Sequence, residues 1–139
     1  MYKEIGHKEK QTLIQKISGA LESKHHIVFA YIFGSFNTQE SFNDIDIAIF
    51  IADSESRSAL NIELDIEREL EDIIHMPVDV RILNSAPLSF VYQVIKDGIV
   101  IVDKNMDLRA DFEGLTCKKY FDFRHLRIEY LKEVANAPV

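Results

Sequence analysis

Cysteine is almost missing from this chain: among 139 residues only Cys117 carries a thiol. An internal disulfide is excluded, and a reducing compartment, the cytoplasm, is the expected location. No Cys/His group has zinc-site spacing. Long apolar runs are lacking too. None reaches the roughly 18–20 residues that cross a bilayer, so no membrane contact is expected. The opening MYKEIGHKEK is polar and is not expected to act as a signal peptide. Positive charge is in deficit, with 16 Lys and Arg against 23 Asp and Glu, a net charge of −7. Direct nucleic-acid binding draws its affinity from Lys and Arg on phosphates and is disfavoured here. A basic protein partner, or cations that offset clustered carboxylates, suit such a chain better. Repeats, low-complexity segments and linkers are absent. What remains, 47% hydrophobic and 28% charged residues, suffices for the core of one ordinary domain.

The periodicities predict an alternation of helices and strands. Leu13, Ile14, Ile17, Ala20 and Leu21 give residues 8–24 a helical face, with His25 and His26 near its C-terminal end. IVFAYIF (27–33) and IDIAIFI (45–51) are short apolar runs of buried strands. Serines 54, 56 and 58 offer N-caps to a helix ending near Ile74. Its inner stripe is Ala59, Ile62, Ile66, Leu70 and Ile73, and its acidic face is expected to be solvated. Pro77 stops it. VDVRIL (78–83) alternates, with Asp79 and Arg81 on the polar face. A short helix follows from the Asn84–Pro87 segment to Asp97, closed by Gly98, and then a strand at 99–102. From about Met106 a helical pattern runs nearly to the end, with Gly114 and Thr116 as the one place where it could break. Tyr120, Phe121, Phe123 and Tyr130 are expected to pack in the core or against a partner, and Cys117 to be a small buried filler. The expected fold is α/β (α+β): a small mixed sheet flanked by helices.

Residues 33–46, FGSFNTQESFNDID, carry the chemistry. Aspartate is a poor strand former, yet Asp44 and Asp46 stand where a strand begins. Alternation puts both on one face, about 6.6 Å apart at Cα. If the strand bearing Asp79 lies alongside, three carboxylates converge and raise one another's pKa. Mg²⁺ removes that conflict, since it takes carboxylate and phosphate oxygens. Two ions about 3.5–4 Å apart would bridge an attacked phosphorus and its leaving group. Asp79 would hold the ion nearer the incoming hydroxyl and assist its deprotonation. Gly34 lets the backbone approach a ligand, and Ser35 offers a hydroxyl and an N–H to phosphates. Arg81 either adds positive charge for the nucleotide or forms an ion pair with a nearby acid.

The order Gly-Ser, gap, Asp-x-Asp and a third Asp on a later strand resembles the DNA polymerase β-like nucleotidyltransferase superfamily. The segments PVDVRILNSAPLSFVYQVIKDGIVIVDKN (77–105) and YFDFRHLRIEYLKEV (120–134) look like the minimal nucleotidyltransferases that act as antitoxins of HEPN-domain RNase toxins. That resemblance implies one domain, 1–139, with 106–139 as a C-terminal helical extension. It implies Mg²⁺-dependent transfer of AMP from ATP to a tyrosine hydroxyl of the toxin. Gly34 and Ser35 would grip the phosphates, and Asp44, Asp46 and Asp79 would hold the metal. The gap between Ser35 and Asp44 is eight residues, shorter than the ten commoner in the family, and it holds neither a basic residue nor a second glycine. Neutralisation by binding alone, or nucleotidyl transfer to a small molecule such as an aminoglycoside, are the other readings.

Overall fold

The computed structural model describes residues 3, 4, 6–34, 36, 41, 42, 44–52 and 57–136. In chain order the elements are β1 (Lys3–Glu4), α1 (His7–Glu22), β2 (Ile27–Phe33), β3 (Ser41–Phe42), β4 (Ile45–Ile51), α2 (Ala59–Ile74), β5 (Val78–Ile82), α3 (Leu88–Asp97), β6 (Ile99–Asp103) and α4 (Met106–Asn136). The central sheet has the order β5-β4-β2-β6. β2 runs antiparallel to β4 and to β6, whereas β4 and β5 are parallel. The sheet is therefore mixed, as expected. A parallel neighbour demands a crossover, and α2 supplies it. β1 and β3 form a separate antiparallel pair.

Both faces of the sheet are covered, which is why β2 and β4 read as continuous apolar runs. On one face Ile32, Ile45, Ile47, Ile49, Val80 and Ile82 pack against Ile17 and Leu21 of α1 and Ile62, Ile66 and Leu70 of α2. On the other, Phe29, Tyr31 and Ala48 meet Val91 and Val94 of α3, with Phe112 of α4 packed against them. Asp46 and Asp79 share the second face with Ala48 and Arg81, because alternation sends every second residue there. Both are only partly buried there.

Several local expectations shift. The buried stripe of α2 is Ile62, Ile66, Leu70 and Ile74, a strict four-residue step, while Ile73 is 37% exposed. Ser58 is the N-cap, its side chain accepting from Asn61 N at 3.2 Å; Ser54 and Ser56 lie outside the described residues. α2 stops at His75, in the left-handed region at φ 57°, before Pro77 is reached. Leu83 leaves β5 for a 3₁₀ turn (Leu83–Ser85) and is buried. Gly98 is extended at φ −78°. Its lack of a side chain serves packing instead, since a Cβ would stand 2.5 Å from the Val94 carbonyl oxygen. α4 is continuous through Gly114 and Thr116. His25 and His26 follow the end of α1, as expected, but His26 is buried. Cys117 is half-buried. Phe121, Phe123 and Tyr130 are exposed, so they are not core residues; Tyr120 stacks on Tyr92 at 3.9 Å.

Candidate active site

Three chain segments meet at one end of the sheet. β2 ends at Phe33, which pairs with Asp46 of β4. Asp46 in turn stands opposite Asp79 of β5. Ile45 N donates to the Pro77 carbonyl at 3.0 Å and pins the two strand starts together. Gly34 follows Phe33 at φ +78°, a conformation that L side chains rarely adopt. A Cβ there would overlap Asp46 Oδ2. The glycine thus satisfies two demands at once, the turn and the room for a carboxylate. Asp44 sits half-buried in the bend before β4. Ser35 lies outside the described residues.

Electrostatics single out Asp46. Burial first, then the charges of Asp44 and Asp79, push its carboxyl up to about 6, against the lowering effect of Arg81. Such crowding of hard oxygen donors is the condition a dication relieves, so these residues fit Mg²⁺ chemically. Among the described residues no three His, Cys, Asp or Glu side chains form a ready-made metal cage. Asp79 instead leans toward Arg81, whose Nε lies 3.8 Å from its Oδ1. Both side chains are well exposed, at 59% for Arg81 and 45% for Asp79, so the pair holds Asp79 weakly. The Arg81 ion pair anticipated from sequence therefore exists, in a form a ligand can displace.

Other residues shape the site without a motif to announce them. β5 is the edge of the sheet, and an unpaired edge is a liability. Val80 N donates to Glu67 Oε1 at 3.0 Å and Ile82 N to Glu63 Oε2 at 2.9 Å. These α2 carboxylates, expected to be solvated, close the edge that carries Asp79. Their spacing was the available signal: four residues on a helix rise about 6 Å, two on a strand about 6.6 Å. Burial raises the Glu67 carboxyl, and the charge of Asp79 adds to the effect against the bond from Val80. Lys10 of α1 donates to the Phe36 carbonyl at 2.7 Å, bringing an ammonium to the segment after Gly34 that has no cation of its own. A cleft of about 280 Å³, lined by Glu63, Arg81, Ser85, Pro87 and Phe90, opens beside Arg81. Phe90 packs edge-on against Phe33 at 5.5 Å, joining the cleft wall to the strand that leads into Gly34.

The same fold recurs in solved structures. A chain of the tri-AMPylated Shewanella oneidensis HEPN toxin in complex with MNT antitoxin superposes with TM-score 0.70 at 23% identity, over 91% of this chain and 98% of that one. A chain of the MntA–HepT toxin–antitoxin complex gives 0.69 at 22% identity, over 90% and 98%. A toxin–antitoxin structure with AMP-PNP gives 0.67 at 24%, over 90% and 98%. At these identities the likeness establishes the fold. No curated protein matches the chain. The family described as polymerase beta, nucleotidyltransferase, matches residues 15–107, a stretch that holds Gly34, Asp44, Asp46 and Asp79. A match over that much of the sequence, centred on this constellation, places the chain in the polymerase β nucleotidyltransferase family.

Proposed function

We propose that the chain, as one minimal nucleotidyltransferase domain (1–139) with 106–139 as its helical extension, is the antitoxin of a HEPN/MNT pair. It transfers AMP from ATP to a tyrosine hydroxyl of its HEPN-domain RNase toxin, in the cytoplasm. One observation carries the reading: Asp46 sits between Gly34 and Asp79, its carboxyl pushed to about 6 by burial and two neighbouring acids. Carboxylates so arranged are costly unless they work on a cation. The fold is shared with chains of toxin–antitoxin structures, one with a tri-AMPylated HEPN toxin and one with AMP-PNP.

Asp44, Asp46 and Asp79 would hold Mg²⁺, two ions in all, and the metal would supply charge to polarise the α-phosphate and offset the departing pyrophosphate. The chain's own residues do the rest. The backbone at Gly34, with Ser35, receives the outer phosphates. Arg81, released from its loose pair with Asp79, steadies the triphosphate. The tyrosine oxygen attacks the α-phosphorus, the bond to pyrophosphate breaks, and the phenolic proton passes to Asp79. The products are an AMP–tyrosine diester and pyrophosphate.

The test is mass spectrometry of the HEPN-domain protein after incubation with this chain, ATP and Mg²⁺. Whole AMP increments on a tyrosine are expected, and none with Asp44→Asn/Asp46→Asn. If that double variant still neutralises the toxin, a binding-only antitoxin replaces the enzyme. The bare helical surface described next is the observation that favours this second reading.

A further inference from the structure

The last half of α4 is a helix without a body to lie on. Its first half is fastened to the sheet: the Tyr31 hydroxyl donates to Glu113 at 2.6 Å, Arg109 pairs with Asp103 at 2.8 Å, and Phe112 packs in the second core. From residue 121 to 136 every position is exposed. That stretch is about 24 Å long at 1.5 Å per residue. It nevertheless carries Phe121, Phe123, Leu126, Tyr130 and Leu131, all at least half exposed. An apolar surface of that extent marks an interaction site.

At the root of this surface lies a hollow of about 330 Å³ lined by Leu88, Ser89, Tyr120, Phe123, Arg124 and Arg127. Arg57, Arg81 and Arg109 pair with acids of their own chain. Arg124 and Arg127, like Arg68 on α2, have no ion pair among the described residues. Two unpaired guanidinium groups thus rim an apolar hollow in a chain whose net charge is −7. Leu88 and Ser89 begin α3, so the positive end of that helix adds to the same field. The next residues of that helical turn, Pro87 and Phe90, line the cleft beside Arg81. A helix is roughly 10 Å across. An occupant of the hollow therefore sits about one helix diameter from the cleft beside Arg81.

We infer that this hollow and the exposed half of α4 are the docking surface for the acceptor protein, which enters with an apolar side chain flanked by carboxylates. This inference rests on the proposed function. Charge complementarity decides the occupant: two unneutralised arginines around an apolar floor ask for carboxylates beside an apolar anchor. A symmetric pair of this chain would bring the arginines of both copies into one patch. Docking here leaves the acceptor's tyrosine free to reach Asp79 around the first turn of α3.

The experiment compares full-length wild type with Arg124→Glu/Arg127→Glu, Arg124→Lys/Arg127→Lys and Phe123→Ala. Calorimetric affinity for the cognate HEPN-domain protein and the kinetics of AMP transfer are read together. Both the charge reversal and Phe123→Ala are expected to weaken affinity, the reversal by at least about 30-fold. The KM for the acceptor rises with it, while kcat and the KM for ATP stay within twofold. The lysine pair keeps most of the affinity, and added salt weakens wild type more than the reversal. Unchanged acceptor affinity in the reversal overturns the inference. So does a reversal that only abolishes self-association in sedimentation, which assigns the face to a second copy. An Asp46→Asn protein that no longer transfers AMP but still binds the acceptor through Arg124 and Arg127 upholds the docking surface independently of catalysis.

Discussion

Asp46 and Gly34 constrain each other, and each makes a distinct prediction. Gly34→Ala adds a Cβ that would overlap Asp46 Oδ2 at a residue already at φ +78°. Transfer activity is expected to fall by about 10²-fold or more, because the carboxylate must move. The stability cost is smaller, about 1–2 kcal/mol for an alanine at positive φ, read as a drop in Tm. Asp46 acts on stability in the opposite sense. Its folded pKa of about 6 lies above the ordinary 3.8. The protonated acid therefore favours the folded state below about pH 4, and that contribution is lost as pH rises through 6. At pH 7.5, without divalent ions, Asp46→Asn should raise Tm by a few degrees. That is about 1 kcal/mol once solvent screening of a half-exposed group is allowed for. Below pH 4 the gain should vanish; a gain of equal size at both pH values would show that charge crowding is not its cause. Strand alternation sets Asp46 and Asp79 side by side on one face, as expected, whereas Asp44 stands in the bend before β4, near enough for its charge to act on Asp46. The sequence said nothing of how Gly34 and Asp46 fit, since no periodicity encodes a contact between the end of one strand and its neighbour's side chain. Ser35 lies outside the described residues, so the phosphate-gripping half of the site keeps its sequence-based assignment.

β5 is where a sequence reading met its limit most clearly. The strand itself, VDVRI, was plain from alternation, and β2 and β4 were plain from runs buried on both faces. The acidic face of α2 was not, because Glu63 and Glu67 look like any solvated helix surface until the edge strand beside them is known. Replacing both with alanine leaves the Val80 and Ile82 amides without partners, at about 1–3 kcal/mol each if they remain shielded from water. Amide exchange at those two residues should accelerate, and AMP transfer should fall with it because Asp79 rides on the same strand. Glu67→Gln, which keeps an accepting oxygen, should restore slow exchange at Val80. Unchanged exchange in the alanine variant would mean that the edge is not held by α2. The buried stripe of α2 takes Ile74 where the periodicity favours Ile73, since a 3.6-residue period leaves both near the same face. The long helix α4 misled in another way: its apolar residues face all directions, so their pattern carries no information about which side is covered.

At the scale of the molecule, the chain combines an acidic α/β body with a projecting helix that holds two unpaired arginines. The two parts are joined where Tyr31, Arg109 and Glu113 meet. Tyr31→Phe removes the hydroxyl that donates to Glu113 and should cost about 1–2 kcal/mol, a bond to a charged acceptor being lost. If that joint sets the angle of α4, the variant should also raise the KM for the acceptor while leaving ATP binding unchanged; a loss of Tm alone would confine Tyr31 to stability. Composition made the acidic body evident, and the motif made the site evident. The bare half of α4 emerged only once the sheet was seen to be covered without it. The most direct measurement of the central claim is the intact mass of the HEPN-domain protein after reaction with ATP, Mg²⁺ and either wild type or Asp44→Asn/Asp46→Asn. Whole AMP units added by wild type and none by the double variant are the predicted result. No added mass with active wild-type antitoxin, or neutralisation unaffected by the double substitution, would contradict it.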